Sequence, residues 1–288
     1  LPISTQSALE VTEAERTARY QAGWDAGQLV GILGAYTDIL YNKEANDTVA
    51  DFVRSKIREI VKDPVTAEAL CPYNHPVGTK RPCLDTGYFN VFNMPNVRLV
   101  DLRKTDITEI TPKGIKTTAE EFEFDIIIYA TGFDGVTGAF DRVDFRGTGG
   151  SLKDYWADGP KTFLGLMCVG FPNLLTIVGP HNASTRCNIP RCIEQNVDWI
   201  TDLMRHARDH NITRIEPTPA AEADWTRHVE EVAEGLLYAQ VDSWLTGINS
   251  NVEGKNVRRI LQYQGGAPAY RERCDAIAAS GYTGMRLD

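Results

Sequence analysis

Apolar residues recur at helical spacing through Ala45, Val49, Phe52, Val53, Ile57, Ile60 and Val61, while Lys56, Arg58, Glu59 and Lys62 cover the opposite face. A 3.6-residue period of this kind predicts an amphipathic helix, which Pro64 breaks. Upstream, Thr12-Glu-Ala-Glu15 is a capping box that opens a helix running toward Trp24. From Cys71 to Gly78 the chain turns to Pro, Asn, His and Gly, the composition of a loop, and that loop delivers Lys80 and Arg81. Two more helices follow in the second half. One has Pro190 near its first turn and a predicted buried face of Ile193, Val197, Ile200, Met204 and Ala207. The other starts near Thr218-Pro219 and carries Trp225, Val229, Val232, Ala233 and Leu236.

Between Asn96 and Asp134 the pattern changes to strands. Val97–Leu102 comes first, then Ile107–Ile110 turns at Pro112-Lys-Gly114 into Ile115–Thr118. The segment Phe124-Asp-Ile-Ile-Ile-Tyr-Ala-Thr-Gly-Phe-Asp134 follows. Its run Ile126, Ile127, Ile128 lacks alternation, which predicts a parallel strand covered on both faces. Ligands of open α/β sheets bind beyond the carboxyl ends of strands, so Thr131, Gly132, Phe133 and Asp134 stand where a cofactor would lie. A plain core strand ending on Gly is the competing reading, and the segment alone leaves both open. Leu174–Val178, ending on Gly179-Pro180, is a further predicted strand.

A self-contained dinucleotide site needs a strand, G-x-G-x-x-G and then a helix. That spacing does not occur. Gly27, Gly31 and Gly34 are wrongly spaced, and no helix pattern opens after Gly147, Gly149 and Gly150. The turn that cradles a pyrophosphate is therefore missing from these 288 residues.

A net charge of -9 argues against a sequence-independent grip on nucleic acid or anionic lipid, both of which require basic surface. No apolar run approaches the ~20 residues that cross a bilayer, and Leu1-Pro-Ile-Ser4 lacks the regions of a signal peptide, so a cytoplasmic location is the default. The six cysteines show no C-x-x-C pair and are expected as free thiols. Neither Cys71 with His75 nor His181 with Cys187 and Cys192 has metal-ligand spacing, so no metal is expected. The remaining histidines suit surface or helix-end positions. G-x-S-x-G is absent and no Cys has an obvious orienting His, which disfavours a nucleophilic hydrolase.

Lys80-Arg-Pro-Cys-Leu-Asp-Thr-Gly-Tyr-Phe89, Phe92-Asn-Met-Pro-Asn-Val97, Ala130-Thr-Gly-Phe-Asp134, Asp242-Ser-Trp-Leu-Thr-Gly247 and Gly254-Lys255 occur in an order that resembles the Baeyer-Villiger monooxygenases. The resemblance spans nearly the whole chain and is to the C-terminal part of that family. The family's FAD fingerprint, its NADPH glycine motif and its F-x-G-x-x-x-H-x-x-x-W signature would precede Leu1. The resemblance implies an α/β fold: an incomplete, Rossmann-like flavoprotein with two dinucleotide-binding domains and a helical insertion. Residues 1–80 would be the helical segment of the NADPH domain, 81–133 its C-terminal part, and 134–288 the C-terminal part of the FAD domain. The implied cofactors are FAD and NADPH, and the implied reactants are a ketone and dioxygen, giving an ester or lactone.

Site residues follow from the same resemblance. Arg81 would be catalytic, because a guanidinium stays charged at any working pH and its planar fork can stabilise an oxygen-derived anion and then the oxyanion growing on the ketone. Pro82 biases Arg81 toward an extended backbone, which helps to aim it. Lys80 resembles the family's basic residue near the NADPH phosphate, and plain solvation is its alternative. Trp244 resembles a tryptophan facing the nicotinamide ribose, and a core role is its alternative. His181-Asn-Ala-Ser-Thr-Arg-Cys-Asn188 corresponds to a loop beside flavin and substrate, with Asn188 and Ile189 reaching the flavin's pyrimidine edge. Arg186 and His181 make that loop unusually polar. Flavin-dependent N- or S-oxygenation is an alternative chemistry, which Lys80-Arg-Pro disfavours. A non-catalytic truncation product, or one partner of a split enzyme completed by an N-terminal half, is the alternative for the isolated chain, which is expected not to turn over.

Overall fold

A computed structural model describes residues 4–183 and 187–288, the Val30 side chain excepted. The chain divides into two compact units, Leu1–Gly132 and Phe133–Asp288. Helix and sheet are mixed, with 41% of residues helical and 9% in strands.

The first unit begins with α1 (Glu13–Asp25), whose capping box forms as the sequence predicts: Glu15 N donates to Thr12 Oγ1 at 3.3 Å and Thr12 N to Glu15 Oε2 at 2.9 Å. Helix α2 (Leu29–Leu33) leads to α3 (Lys43–Ile60), which Asn42 caps. Pro64 does not merely break this helix. It opens α4 (Pro64–Leu70) behind an Asp63 cap, because its fixed φ and missing N–H suit a first helical turn. Tyr20, Ile39, Val49 and Phe52 form one core, and Ile57, Val61, Ala67 and Cys71 a second.

One buried side chain fixes the loop that leads to Lys80. Asn46 has no exposed surface; its Nδ2 donates to Ile39 O at 2.8 Å and Val77 O at 2.9 Å, and Val77 N donates to its Oδ1 at 2.8 Å. Replacing either partner would leave a buried polar group unmatched, so the loop is held at Val77.

Beyond the 3-10 helix Phe89–Asn93, the predicted hairpin is present. Strands β1 (Ile107–Thr111) and β2 (Gly114–Thr117) pair antiparallel with Ile110 opposite Ile115, and β3 (Glu121–Glu123) continues the sheet. Three other predicted strands are not formed among the described residues: 97–102, 124–131 and 174–178 lack ladder partners. The expectation of a doubly covered strand fails most clearly at Ile126 and Ile128, which are 78% and 84% exposed. A strand exists only with a neighbour to share its N–H and C=O groups, and no described segment supplies one.

The second unit starts with α5 (Gly138–Asp141), the two-residue strands β4 (Arg146–Gly147) and β5 (Gly150–Ser151), and α6 (Leu152–Tyr155). Helices α7 (Ile189–Asp209) and α8 (Pro219–Ala233) follow, with β6 (Ile215–Pro217) between them. Helix α9 (Ala267–Ala279) and β7 (Met285–Leu287) close the unit, β7 antiparallel to β6. Trp199, Leu203, Trp225, Val229, Tyr263, Tyr270 and Cys274 form its core. The buried face of α7 is Cys192, Asn196, Trp199, Leu203 and Ala207. Of the face the sequence predicts, Ala207 is buried and Ile200 is half-buried against the core, whereas Ile193, Val197 and Met204 are exposed, one residue around the helix. Polar anchors set the rotation, since Trp199 Nε1 donates to Cys274 O at 2.9 Å and Asn196 joins a buried amide network.

Candidate cofactor site

Lys80 and Arg81 follow the loop fixed at Val77, in extended chain without regular structure. The Arg81 side chain is exposed and has no hydrogen-bond or ion-pair partner among the described residues. A guanidinium left without a carboxylate keeps its full donor fork available to an anion. Lys80 is half-buried near His75, whose pKa is lowered by burial first and by the Lys80 charge second. Thr131 and Gly132 belong to the same unit; both are exposed, and Gly132 has φ +85°, the left-handed region that glycine adopts without strain.

Phe133 is 95% exposed at the start of the second unit. Asp134 is not free. Lys255 Nζ lies 3.0 Å from Asp134 Oδ2 and 2.8 Å from Asp141 Oδ2, and donates to Thr137 Oγ1 at 2.7 Å. Gly135, the next residue, sits so close to Trp244 that a methyl group there would stand 3.1 Å from the indole Cε3. The structure thus brings the backbone that follows Asp134 up against Trp244. Trp244 is 40% exposed, which excludes the fully buried core alternative, and heads the 3-10 helix Trp244–Thr246 that ends on Gly247 at φ +75°. Together with Asp141, Trp156 and Arg259, Lys255 lines a cleft of about 500 Å³. Gly254-Lys255 occurs among the sequence motifs, and the signal for its role is Asp134, which has no basic residue nearby in sequence.

The loop after Gly179 is built from buried polar groups. His181, at 3% exposed, is one of them. Its Nδ1 lies 3.2 Å from Thr162 Oγ1, and its pKa is lowered to about 4 by burial, against a hydrogen bond to the Ile260 backbone that pulls the other way. Asn182 Nδ2 donates to Asn196 Oδ1 at 3.0 Å and Tyr270 Oη at 2.8 Å, and Tyr270 Oη donates onward to Leu164 O at 2.7 Å. Arg186 lies outside the described residues. Cys187 and Cys192 are joined as a disulfide, contrary to the expectation of six free thiols. The fold decides this pairing, because α7 places its first turn beside the residue preceding its cap. Asn188 caps α7 without using its side chain, and it and Ile189 are exposed. Both are therefore open to a neighbour. Among the described residues, no group of His, Cys, Asp and Glu is arranged to hold a metal ion.

No protein-family model matches the chain. It is 44% identical over 279 residues to 2-oxo-Δ3-4,5,5-trimethylcyclopentenylacetyl-CoA monooxygenase of Pseudomonas putida, covering 96% of this chain and 51% of that protein. It is 41% identical over 285 residues to cyclopentanone 1,2-monooxygenase of a Comamonas species, covering 98% of this chain and 51% of that protein. The backbone matches a crystal structure of OTEMO in complex with FAD and NADP at a TM-score of 0.92 and 42% identity, over 99% of this chain and 52% of that one. The chain thus spans about half the length of the relatives it matches. In sequence and backbone alike, the chain matches the C-terminal part of Baeyer-Villiger monooxygenases such as these.

Proposed function

We propose that the chain supplies the C-terminal portion of an NADPH- and FAD-dependent Baeyer-Villiger monooxygenase that inserts one oxygen atom next to a ketone carbonyl. The supporting observation is an unpaired, exposed Arg81 on a loop anchored by a buried asparagine, within a backbone that matches the OTEMO complex at 42% identity. In this reading residues 81–133 complete an NADPH domain and 134–288 an FAD domain, and the protein works in the cytoplasm.

The donor set fits the two nucleotides. Bound flavin would supply the redox chemistry with dioxygen, and NADPH the electrons. Arg81 holds a fixed positive charge where negative charge builds on oxygen, first on the activated oxygen and then on the former carbonyl, and needs no proton transfer to do so. Lys80 offers a compact ammonium to the cofactor's phosphate. Trp244 gives an apolar plate with one N–H to the nicotinamide ribose. Thr131 and Gly132 at the end of the first unit, and Phe133 and Asp134 at the start of the second, would border a nucleotide, and Asn188 and Ile189 would offer backbone groups to the flavin.

The exposed run Ile126–Phe133 suits a strand partner from the other half of such an enzyme, because unpaired apolar backbone invites a neighbouring strand. The test is to purify the chain alone and together with the N-terminal half of cyclopentanone monooxygenase. The chain alone should be colourless and inactive; the mixture should retain flavin and form lactone with NADPH. A mixture that stays colourless counts against the reading, and N- or S-oxide without ester would move it to heteroatom oxygenation.

A further inference from the structure

We propose that Lys255 is a positioning residue for Trp244: its ammonium holds the Asp134–Asp141 turn closed against the indole. This deepens the reading that Trp244 faces the nicotinamide and rests on it only for its consequence, not for its geometry.

An ammonium has three N–H donors, and here one short turn supplies all three acceptors, Asp134, Thr137 and Asp141, at 3.0, 2.7 and 2.8 Å. The Lys255 side chain is 17% exposed and that of Asp134 14%, so water screens this pair less than a surface pair. The turn needs such a restraint. Val136, inside it, has φ +60°, a left-handed backbone that β-branched residues avoid and that persists only where the surroundings enforce it. Packing leaves it no slack. A methyl at Gly138 would lie 2.5 Å from the Asp134 carboxyl carbon, and one at Gly135 would press on the indole, so displacement of Asp134 passes directly to Trp244. Lys255 is itself held, with Asn249 N donating to Lys255 O at 2.9 Å and Lys255 N to Val252 O at 3.2 Å. Arg142, Lys153, Asp154, Glu253 and Arg259 line the same cleft, yet neither Arg142, Lys153 nor Arg259 forms an ion pair with Asp134 or Asp141 among the described residues. Without Lys255 the two carboxylates would therefore face each other uncompensated.

The experiment is an indole N–H spectrum of the 15N-labelled chain, with the Trp244 cross-peak identified by its loss in Trp244→Phe. Lys255→Met should move that peak and leave those of Trp199 and Trp225 in place, and Lys255→Arg, which retains the cation, should move it less. An unmoved Trp244 peak in folded Lys255→Met overturns the proposal. If that variant does not fold, Asp134→Asn, of equal size and without charge, is read in the same way, and an unmoved peak is again decisive against it. In the assembled, flavin-loaded enzyme, Lys255→Met should raise the KM for NADPH about tenfold with FAD retained. A moved peak with unchanged KM keeps the positioning role and removes the nicotinamide reading of Trp244.

Discussion

The Tyr155 hydroxyl donates to Glu222 Oε2 at 2.5 Å, joining α6 to α8. The other carboxylate oxygen of Glu222 accepts from Val169 N at 2.7 Å, and one residue on, Gly170 N donates to Glu216 Oε1 at 2.6 Å. The backbone at Val169 and Gly170 is thus suspended from two buried carboxylates. Burial, then the hydrogen bond to Glu222, pushes the Tyr155 hydroxyl pKa well above its ordinary value, so it remains a donor throughout the working range. Tyr155→Phe removes one partner of a buried charge and should cost about 1–3 kcal/mol in urea unfolding. A loss below about 0.5 kcal/mol would show that water replaces the hydroxyl there.

Stability should fall as the solution is acidified from about pH 6.5 to about pH 4. His181 has its pKa lowered to about 4 in the fold. The unfolded chain therefore binds the extra proton first, and the contribution of the neutral buried ring is complete above the ordinary histidine value and lost below it. Its full size is on the order of 3 kcal/mol. Glu216 acts in the same direction at lower pH. Burial alone would raise its pKa, but the Arg214 guanidinium and the Gly170 N–H more than offset that and hold it below the usual range. His181→Asn should flatten the upper part of the profile, and an unchanged slope between pH 6.5 and 4 would assign the acid sensitivity elsewhere.

Thiol chemistry distinguishes the cysteines. Cys83 is the one exposed free thiol among the described residues, and Cys71, Cys168 and Cys274 are buried, with burial raising the pKa of Cys168 and of Cys274 to about 12. The folded chain should react quickly at Cys83 alone. After unfolding without reductant, four thiols should react, and reductant should add Cys187 and Cys192. Six reactive thiols without reductant would refute the disulfide.

In the assembled enzyme, Arg81→Ala should lower ester formation about a hundredfold or more while FAD stays bound, the scale of losing one oxyanion donor. Product analysis checks this, and retained lactone yield would reject the role.

Lys80→Ala should weaken NADPH by about tenfold, the scale of one charge-assisted contact, and NADH much less. Equal weakening of the two would show that Lys80 does not read the phosphate.

Local signals carried far in this chain. Thr12-Glu-Ala-Glu15, the α3 stripe, the Pro112-Lys-Gly114 turn and the Pro190 and Pro219 helix starts act through neighbours a few residues away, and they formed where the sequence indicated. The family resemblance was equally legible, because several separate motifs stood in order along the chain. Strands were not. The isoleucines at 126–128 have strand composition but no partner among the described residues, and a ladder is made by the neighbour as much as by the segment.

What the sequence by itself determined is four of the helices, α1, α3, α7 and α8, together with the hairpin, the family resemblance and the identity of the charged and aromatic residues offered to a cofactor. Tertiary structure alone decided which face of α7 is buried, that His181 is neutral and enclosed, that Cys187 meets Cys192, and that Lys255 satisfies Asp134 rather than solvent. The physical reason is range. Capping and periodicity are settled within one or two turns of chain, whereas burial, ion pairing and ring contact depend on groups far apart in sequence that only packing brings within a few ångströms.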